Sequence, residues 1–434
     1  MKTLTFLLAM LPLMAADSFV IRNATVHPVS GPDVANASVL VVDGKIAEVG
    51  IKVTAPKGVK VIEGKGLHVY PGMIDSATEA GLSEISAVRE TNDTGELGDF
   101  NPQLKALSAV NPASEHLPVI RANGITSAVT LPFIGGGGGG RGGGSTSLIT
   151  GQPALIHLDG WTWEDMAVRP SAAMELVFPV ISAGRGRFMD NENPSFPRTV
   201  YADQKKAYDK RVKELETFFE QARRYQKAKL AKEPGFKTDL KFEAMLPVLE
   251  GKTPLMVNAM REKPIRDAIA FSDKEKVKII IAGGRDFGAT LADLKSRKIP
   301  VIAPPTLALP LNDDDAYDQA FTLPSELYKA GVKFAFGSFG NQFSRNLPYQ
   351  AAAAVGFGLP YNEGLKAVTL NAAEIWGVGD QIGSIDKGKW ADLIVTDGDP
   401  LEAKTNVKML FIKGRPVDLS NKHTKLYEKY LARP

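Results

Sequence analysis

The sequence of 434 residues contains no cysteine and few histidines. The absence of cysteine excludes disulfides, thiolate metal ligands and a cysteine nucleophile, and it leaves the redox compartment undetermined. A metal site built on several imidazoles would need most of the histidines at one place. Neither sign of charge is in large excess, since 52 Lys and Arg oppose 49 Asp and Glu, so neither nucleic acid nor a membrane is predicted as a partner. The five histidines are His27, His68, His116, His157 and His423.

Long apolar runs are also missing, apart from one near the start of the chain. Met1-Lys2 is followed by an apolar run over residues 4–14 and then by Ala15-Ala16. This run is too short to span a bilayer and is typical of a secretory signal peptide. We therefore expect residues 1–16 to be a signal peptide and the protein to be periplasmic or secreted from a bacterium. A buried first strand is the alternative.

Both ends of the remaining chain have the pattern of β-structure. Residues 18–68 alternate between short apolar runs and turns, and Asp43-Gly44 between two alternating runs indicates a hairpin. Residues 383–397 and 407–417 have the same pattern. We predict that residues 17–68 and 380–434 fold together into one composite β-sandwich.

The intervening residues 69–379 have an α/β pattern. Short apolar runs are separated by helical stretches, which is typical of parallel strands. Eight such runs favour a (β/α)8 TIM-type barrel over an open sheet. The runs are 69–75, 125–131, 153–158, 174–180, 254–259, 277–283, 299–303 and 332–338.

The segment Pro71-Gly-Met-Ile-Asp75 closes the first of these runs. It resembles the motif PG-[LFM]-ID-x-H-x-H of the metal-dependent amidohydrolase superfamily. The strings VLVVDGKIAEVG and GSIDKGKWADLIVTDGDP are similar to the composite domain of imidazolonepropionase-like members. Stretches that begin at Asp99, Asn111 and Gly151 resemble an exported bacterial subgroup. The resemblance implies a zinc-dependent hydrolase that acts on carbon–nitrogen bonds other than peptide bonds.

The ligand positions of that superfamily are substituted in this chain. Ala77 and Glu79 replace the two histidines of His-x-His, and Asn258 stands where relatives have the histidine of the fifth strand. The sixth strand ends at Arg285 and Asp286 without a histidine. In the eighth strand, Phe339 follows Ser338 where the superfamily has its water-activating aspartate. Zinc is therefore expected for the family, but its ligands are missing here, and we predict no metal and no other cofactor.

Two acids survive at the predicted barrel mouth, where barrel enzymes have their active sites. Glu79 and Asp286 are candidate catalytic residues, since they could form an acid/base pair. They could instead hold a harder cation through oxygen, or simply line the cleft.

Other residues near the predicted mouth are candidates for ligand binding. Residues 134–144 contain nine glycines around Arg141 and could form a mobile lid that reaches an anionic ligand, or only a flexible loop. The remaining candidates are the strand-end residues Asn258, Arg285 and Ser338, together with Trp161, which could wall the cleft or simply pack, and Tyr349.

Two functions of different class remain open. The first is a pseudoenzyme whose barrel mouth binds a small molecule, or which pairs with a catalytically intact paralogue or with its own copy in a homo-oligomer. The second is an active hydrolase with an unusual or metal-free site, acting on amide, cyclic amide or dipeptide-like bonds.

Overall fold

The computed structural model describes residues 18–132, 147–181, 201–310 and 315–433. The predicted signal peptide at residues 1–16 and the glycine-rich segment with Arg141 lie outside these ranges. In the described parts of the chain, no helix is long and apolar enough to cross a membrane.

The described ranges contain strands and helices throughout. The strands are β1 (Phe19–Val26), β2 (Val34–Val42), β3 (Lys45–Gly50), β4 (Lys60–Glu63), β5 (His68–Pro71), β6 (Met73–Thr78), β7 (Ile125–Thr130), β8 (Ile149–Gly151), β9 (Ala154–His157), β10 (Ala167–Arg169), β11 (Met174–Val177), β12 (Leu255–Asn258), β13 (Ile279–Ala282), β14 (Val301–Ala303), β15 (Phe334–Phe336), β16 (Leu393–Thr396), β17 (Val407–Ile412) and β18 (Arg415–Pro416). The α-helices are α1 (His116–Arg121), α2 (Trp163–Met166), α3 (Tyr201–Ala231), α4 (Leu240–Leu249), α5 (Glu262–Glu275), α6 (Thr290–Arg297), α7 (Gln319–Ala330), α8 (Leu347–Gly356), α9 (Tyr361–Ala367), α10 (Leu370–Ile375) and α11 (Lys422–Leu431).

Strands from both ends of the chain share one sheet. Its order is β18-β17-β16-β5-β1-β2-β3, and β4 also pairs with β1. The junction between the ends is β16 against β5, antiparallel, with Leu393 opposite Pro71. The hairpin predicted at Asp43-Gly44 is present, since both residues have the positive φ that a tight two-residue turn requires. The exact domain boundaries, 17–68 with 380–434 and 69–379, stay predictions.

Each of the eight apolar runs predicted for the middle of the chain overlaps a strand. Five of them, β11 to β15, form a continuous parallel series, and β6 is parallel to β7. The third run does not follow the prediction, because β9 pairs antiparallel with β7. The described ladders form a four-stranded sheet and a six-stranded sheet. The middle of the chain is therefore an α/β unit, while closure of its strands into a (β/α)8 barrel stays a prediction.

The first and last of these strands, β6 and β15, meet at their carboxyl ends. The Phe339 N–H donates to the Ala77 carbonyl over 2.7 Å, and the Ser338 N–H donates to Asp75 Oδ1 over 2.9 Å. At the opposite end of β6, Gly72 has no room for a side chain, since an added Cβ would lie 2.1 Å from Oγ1 of Thr126. The Pro-Gly pair thus sets the close approach of β6 to β7, and the strand then leads to the seam with β15.

Candidate functional site

Asp75 is a buried carboxyl group at the seam between β6 and β15. Its side chain has no exposed surface, and its Oδ1 accepts the N–H groups of Ala77 (3.2 Å) and Ser338 (2.9 Å). Its Oδ2 has no hydrogen-bond partner among the described residues. Burial raises the pKa of Asp75 to about 7, although hydrogen bonds from Ser338, Ala77 and Ser344 act in the opposite direction. Asp75 can therefore carry a proton near neutral pH.

A group of three hydroxyls lies beside Asp75. The Ser344 hydroxyl is 2.8 Å from that of Thr78 and 2.9 Å from that of Ser338. Thr78 and Ser338 also donate to the carbonyl of Gly340, over 2.8 and 2.9 Å. None of the described hydrogen bonds joins these hydroxyls to an imidazole, so the arrangement anchors the loop after β15 to β6 and does not form an activated serine.

An apolar cluster occupies the seam at the ends of these strands. We name it the apolar plug and define it as Ala77, Ile302, Gly337 and Phe339. A Cβ placed on Gly337 would lie 2.7 Å from Ala77 Cβ, 2.9 Å from the Phe339 ring and 3.0 Å from Ile302 Cγ2. The Phe339 backbone has φ of 50°, which aims its ring at this cluster from a left-handed conformation. The positions that the motif assigns to a histidine and an aspartate therefore hold a methyl group and a ring in mutual packing.

The tight packing of the apolar plug predicts the effect of adding one methyl group. Gly337→Ala is expected to lower the free energy of unfolding by about 1–3 kcal/mol, because the new Cβ overlaps its neighbours and they must shift. Gly340→Ala is the matched control three residues away, since nothing lies within 4 Å of a Cβ there. Urea unfolding of both variants measures the difference. Equal midpoints for the two variants would contradict the packing described for the plug.

Glu79 and Asp286 are not brought together by any described contact. Glu79 is partly buried, which raises its pKa, and it forms no hydrogen bond or ion pair through its carboxyl group with a described residue. Asp286 is exposed, and its N–H, like that of Arg285, donates to the carbonyl of Met260. The predicted acid/base pair and the ligand-binding role of Arg285 stay predictions.

Asn258 forms a hydrogen bond with Glu175, an acid that was not among the residues predicted from the sequence. Its Nδ2 donates to Oε1 of Glu175 over 2.7 Å, and Thr150 donates to Oε2 of the same carboxyl over 2.6 Å. Glu175 has no exposed surface. The signal in the sequence was a single acidic residue inside the apolar run of the fourth predicted strand. The amide of Asn258 is thus held by a buried carboxylate at the end of β12.

Two other predicted ligand-binding residues, Trp161 and Tyr349, have no described contact with Asp75 or the apolar plug. Trp161 is 93% exposed on the segment between β9 and α2. Tyr349 lines a cavity of about 230 Å³ together with Asn123, Pro400 and Leu419. Arg141 lies outside the described residues. Their roles as ligand contacts stay predictions.

The residues at the seam do not fit the zinc site that the resemblance to the superfamily implies. All five histidines fall within the described ranges, and each has a partner elsewhere. Zinc sites use imidazole, thiolate and carboxylate donors, with three protein ligands in a catalytic centre. In the described ranges, no group of three or more His, Asp or Glu side chains is arranged to hold a metal ion. The histidine pairs are His27 with His68 (2.9 Å), His157 with Asp392 (2.8 Å), His116 with the Glu84 carbonyl (2.9 Å) and His423 with Arg345 (3.1 Å).

Comparison with known proteins finds similarity to amidohydrolases. Residues 274–417 match the model of the amidohydrolase family. Amidohydrolase tasK of Hapsidospora irregularis is 25% identical over 417 residues, which are 89% of this chain and 41% of that protein. Imidazolonepropionase of Syntrophobacter fumaroxidans is 40% identical over 60 residues, 14% of each chain. The chain thus spans less than half the length of the curated relatives it matches.

Solved structures extend the similarity to nearly the whole fold. An amidohydrolase from Thermotoga maritima MSB8 aligns with a TM-score of 0.77 and 26% identity, covering 92% of this chain and 99% of its own. A Xaa-Pro dipeptidase with methionine bound in its active site aligns with a TM-score of 0.56 and 15% identity, covering 93% and 100%, which shows the fold alone. Residues 274–417 therefore resemble the amidohydrolase family in sequence, and the fold of the chain is similar to that of a solved amidohydrolase.

Proposed function

We propose that this chain is a ligand-binding pseudoenzyme of the amidohydrolase type, exported by a bacterium, in which metal chemistry has been lost. The observation that carries the proposal is the apolar plug. Ala77, Ile302 and Phe339 belong to one apolar cluster with the strand residues Met256 and Ile280. A hydrated cation at this position would have to displace apolar surface that is already buried, and burial of such surface contributes about 25 cal/mol per Å² to stability.

The acids near the plug support the same proposal. Oδ1 of Asp75 already accepts two backbone N–H groups, and the raised pKa of this carboxyl opposes the ionised form that a metal ligand needs. Glu175 accepts hydrogen bonds from Asn258 and Thr150, so its two carboxyl oxygens connect β8, β11 and β12. Glu79 is left as the acid at the end of β6 that can contact a ligand. We propose that a small molecule donates a hydrogen bond to the carboxyl group of Glu79.

The metal content of the purified full chain tests this proposal. After dialysis we expect substoichiometric zinc, manganese and iron, and no hydrolysis of amide, cyclic amide or dipeptide substrates when these metals are added back. Stoichiometric metal that dialysis does not remove, with activity that a chelator abolishes, would overturn the proposal. Pairing with an intact paralogue or with a second copy stays a prediction within it.

A second candidate is a metal-free hydrolase of carbon–nitrogen bonds. It rests on two acids of the β6 region, because burial raises the pKa of Asp75 to about 7, where general acids and bases work, and also raises the pKa of Glu79. Glu79→Gln separates the candidates. If the wild type hydrolyses a C–N bond and the folded Glu79→Gln variant does not, the chain is an enzyme and the pseudoenzyme proposal fails.

A further inference from the structure

The last helix of the chain, α11, has an apolar surface that no described residue covers. Leu426, Tyr427, Tyr430 and Leu431 are 46%, 67%, 51% and 69% exposed. At 3.6 residues per turn these four side chains fall within an arc of about 140° on one side of the helix. Exposed apolar residues are ordinary when scattered, but a continuous stripe of them on one helix indicates an interaction surface.

Basic residues border this apolar stripe. Four cations, Lys422, Lys425, Lys429 and Arg433, outnumber the acids Glu428 on the helix and Asp418 just before it, and Asp418 interacts electrostatically with Lys425. The Arg433 guanidinium carbon lies 4.4 Å from the centre of the Tyr430 ring, and Lys429 Nζ lies 5.9 Å from it. The cations therefore stand next to the apolar stripe, at its edge.

We propose that α11 docks this protein on an anionic lipid surface. A helix with a Leu/Tyr stripe and a basic border lies in the plane of a membrane interface, with its apolar side toward the acyl chains and its cations toward the phosphates. Tyrosine is enriched at that depth because its ring is apolar and its hydroxyl is polar. This proposal does not depend on the ligand-binding function, since it concerns only the attachment of the protein to a lipid surface.

A second copy of the chain fits this surface less well. A stable protein interface takes about 20–30 residues a side, whereas the uncovered stripe offers four side chains. An isologous pairing would also place the same excess of positive charge on both sides of the interface. The near-neutral composition of the whole chain hides this local pattern, which is why the sequence as a whole did not predict a membrane partner.

Co-sedimentation of the full chain with lipid vesicles tests the proposal. We expect sedimentation with vesicles of phosphatidylcholine and phosphatidylglycerol, little with phosphatidylcholine alone, and release at high salt. The double variant Lys425→Glu/Lys429→Glu is expected to lower the partition coefficient by about tenfold or more. Leu426→Gln/Leu431→Gln should have a comparable effect, because it removes the apolar contact.

Matched controls come from the exposed side of α3. Lys206→Glu/Lys227→Glu changes the same amount of charge, and Leu230→Gln removes a leucine that is 77% exposed. Both should bind vesicles as the wild type does. Three results would overturn the proposal: no binding to the anionic vesicles, equal loss in the α3 controls, or a dimer in analytical ultracentrifugation that Leu426→Gln/Leu431→Gln dissociates. The last result would assign the stripe to a second copy.

Discussion

Replacing Asp75 with asparagine is expected to stabilise the protein at neutral and alkaline pH. The pKa of Asp75 is about 7 in the folded chain against an ordinary value of 3.8, so the folded state keeps a proton that the unfolded state releases. The sign follows from this difference. Stability that is fully present below pH 3.8 is lost as the pH rises toward 7, and the loss amounts to about 4 kcal/mol at most for this fully buried group. An asparagine side chain carries no charge at any of these pH values, so the variant escapes this loss.

Urea unfolding at about pH 5 and about pH 8 measures the effect. The wild type should lose stability between the two conditions, and Asp75→Asn should exceed it by about 2–4 kcal/mol at the higher pH. Asparagine keeps an oxygen for the N–H groups of Ala77 and Ser338, so the seam between β6 and β15 is preserved. Asp286→Asn is the control, because that side chain is exposed. A variant that is less stable than the wild type at the higher pH would contradict the raised pKa of Asp75.

The strands of the middle of the chain could be located from sequence because each is a short apolar run. Burial on both faces removes the alternation of polar and apolar residues, as in β6 and β7, where every residue is buried. The direction of a strand is not encoded in that pattern. β9 is as fully buried as β6 and β7 but runs antiparallel to β7, because tertiary contacts set its direction and its own residues do not.

The candidate site, too, could be predicted from the sequence only in part. The substitutions Ala77 and Phe339 were visible against the motif, and the structure adds that the two positions pack around Gly337. Glu175 was overlooked although a lone acid in an apolar run is a signal that sequence alone provides. The relation of Glu79 to Asp286 could not be predicted, because loop geometry sets it and no local pattern encodes a separation across two strands.

Removing the imidazole of His157 is expected to have the largest effect on stability. His157 ends β9, and its Nε2 lies 2.8 Å from Oδ2 of Asp392, which precedes β16 in the composite sheet. Both side chains are buried, at 1% and 4% exposure. Asp392 also accepts the N–H of Lys413 at Oδ1 and that of Gly72 at its carbonyl, so it joins β9 to the junction of β5 and β6 and to the turn after β17. His157→Ala leaves Oδ2 buried without a partner and opens a cavity, which together cost about 3–5 kcal/mol.

A double-mutant cycle distinguishes the loss of the partner from the loss of packing. Because the two side chains serve one contact, His157→Ala/Asp392→Ala should cost less than the sum of the single variants, with a coupling of about 1–3 kcal/mol. His423→Ala is the control, since that residue is exposed on α11 and its removal should leave the urea midpoint unchanged. Additive single effects would mean that His157 and Asp392 stabilise their own sheets separately. Coupled effects would mean that this pair is one of the contacts through which the composite sheet and the α/β unit stabilise one another.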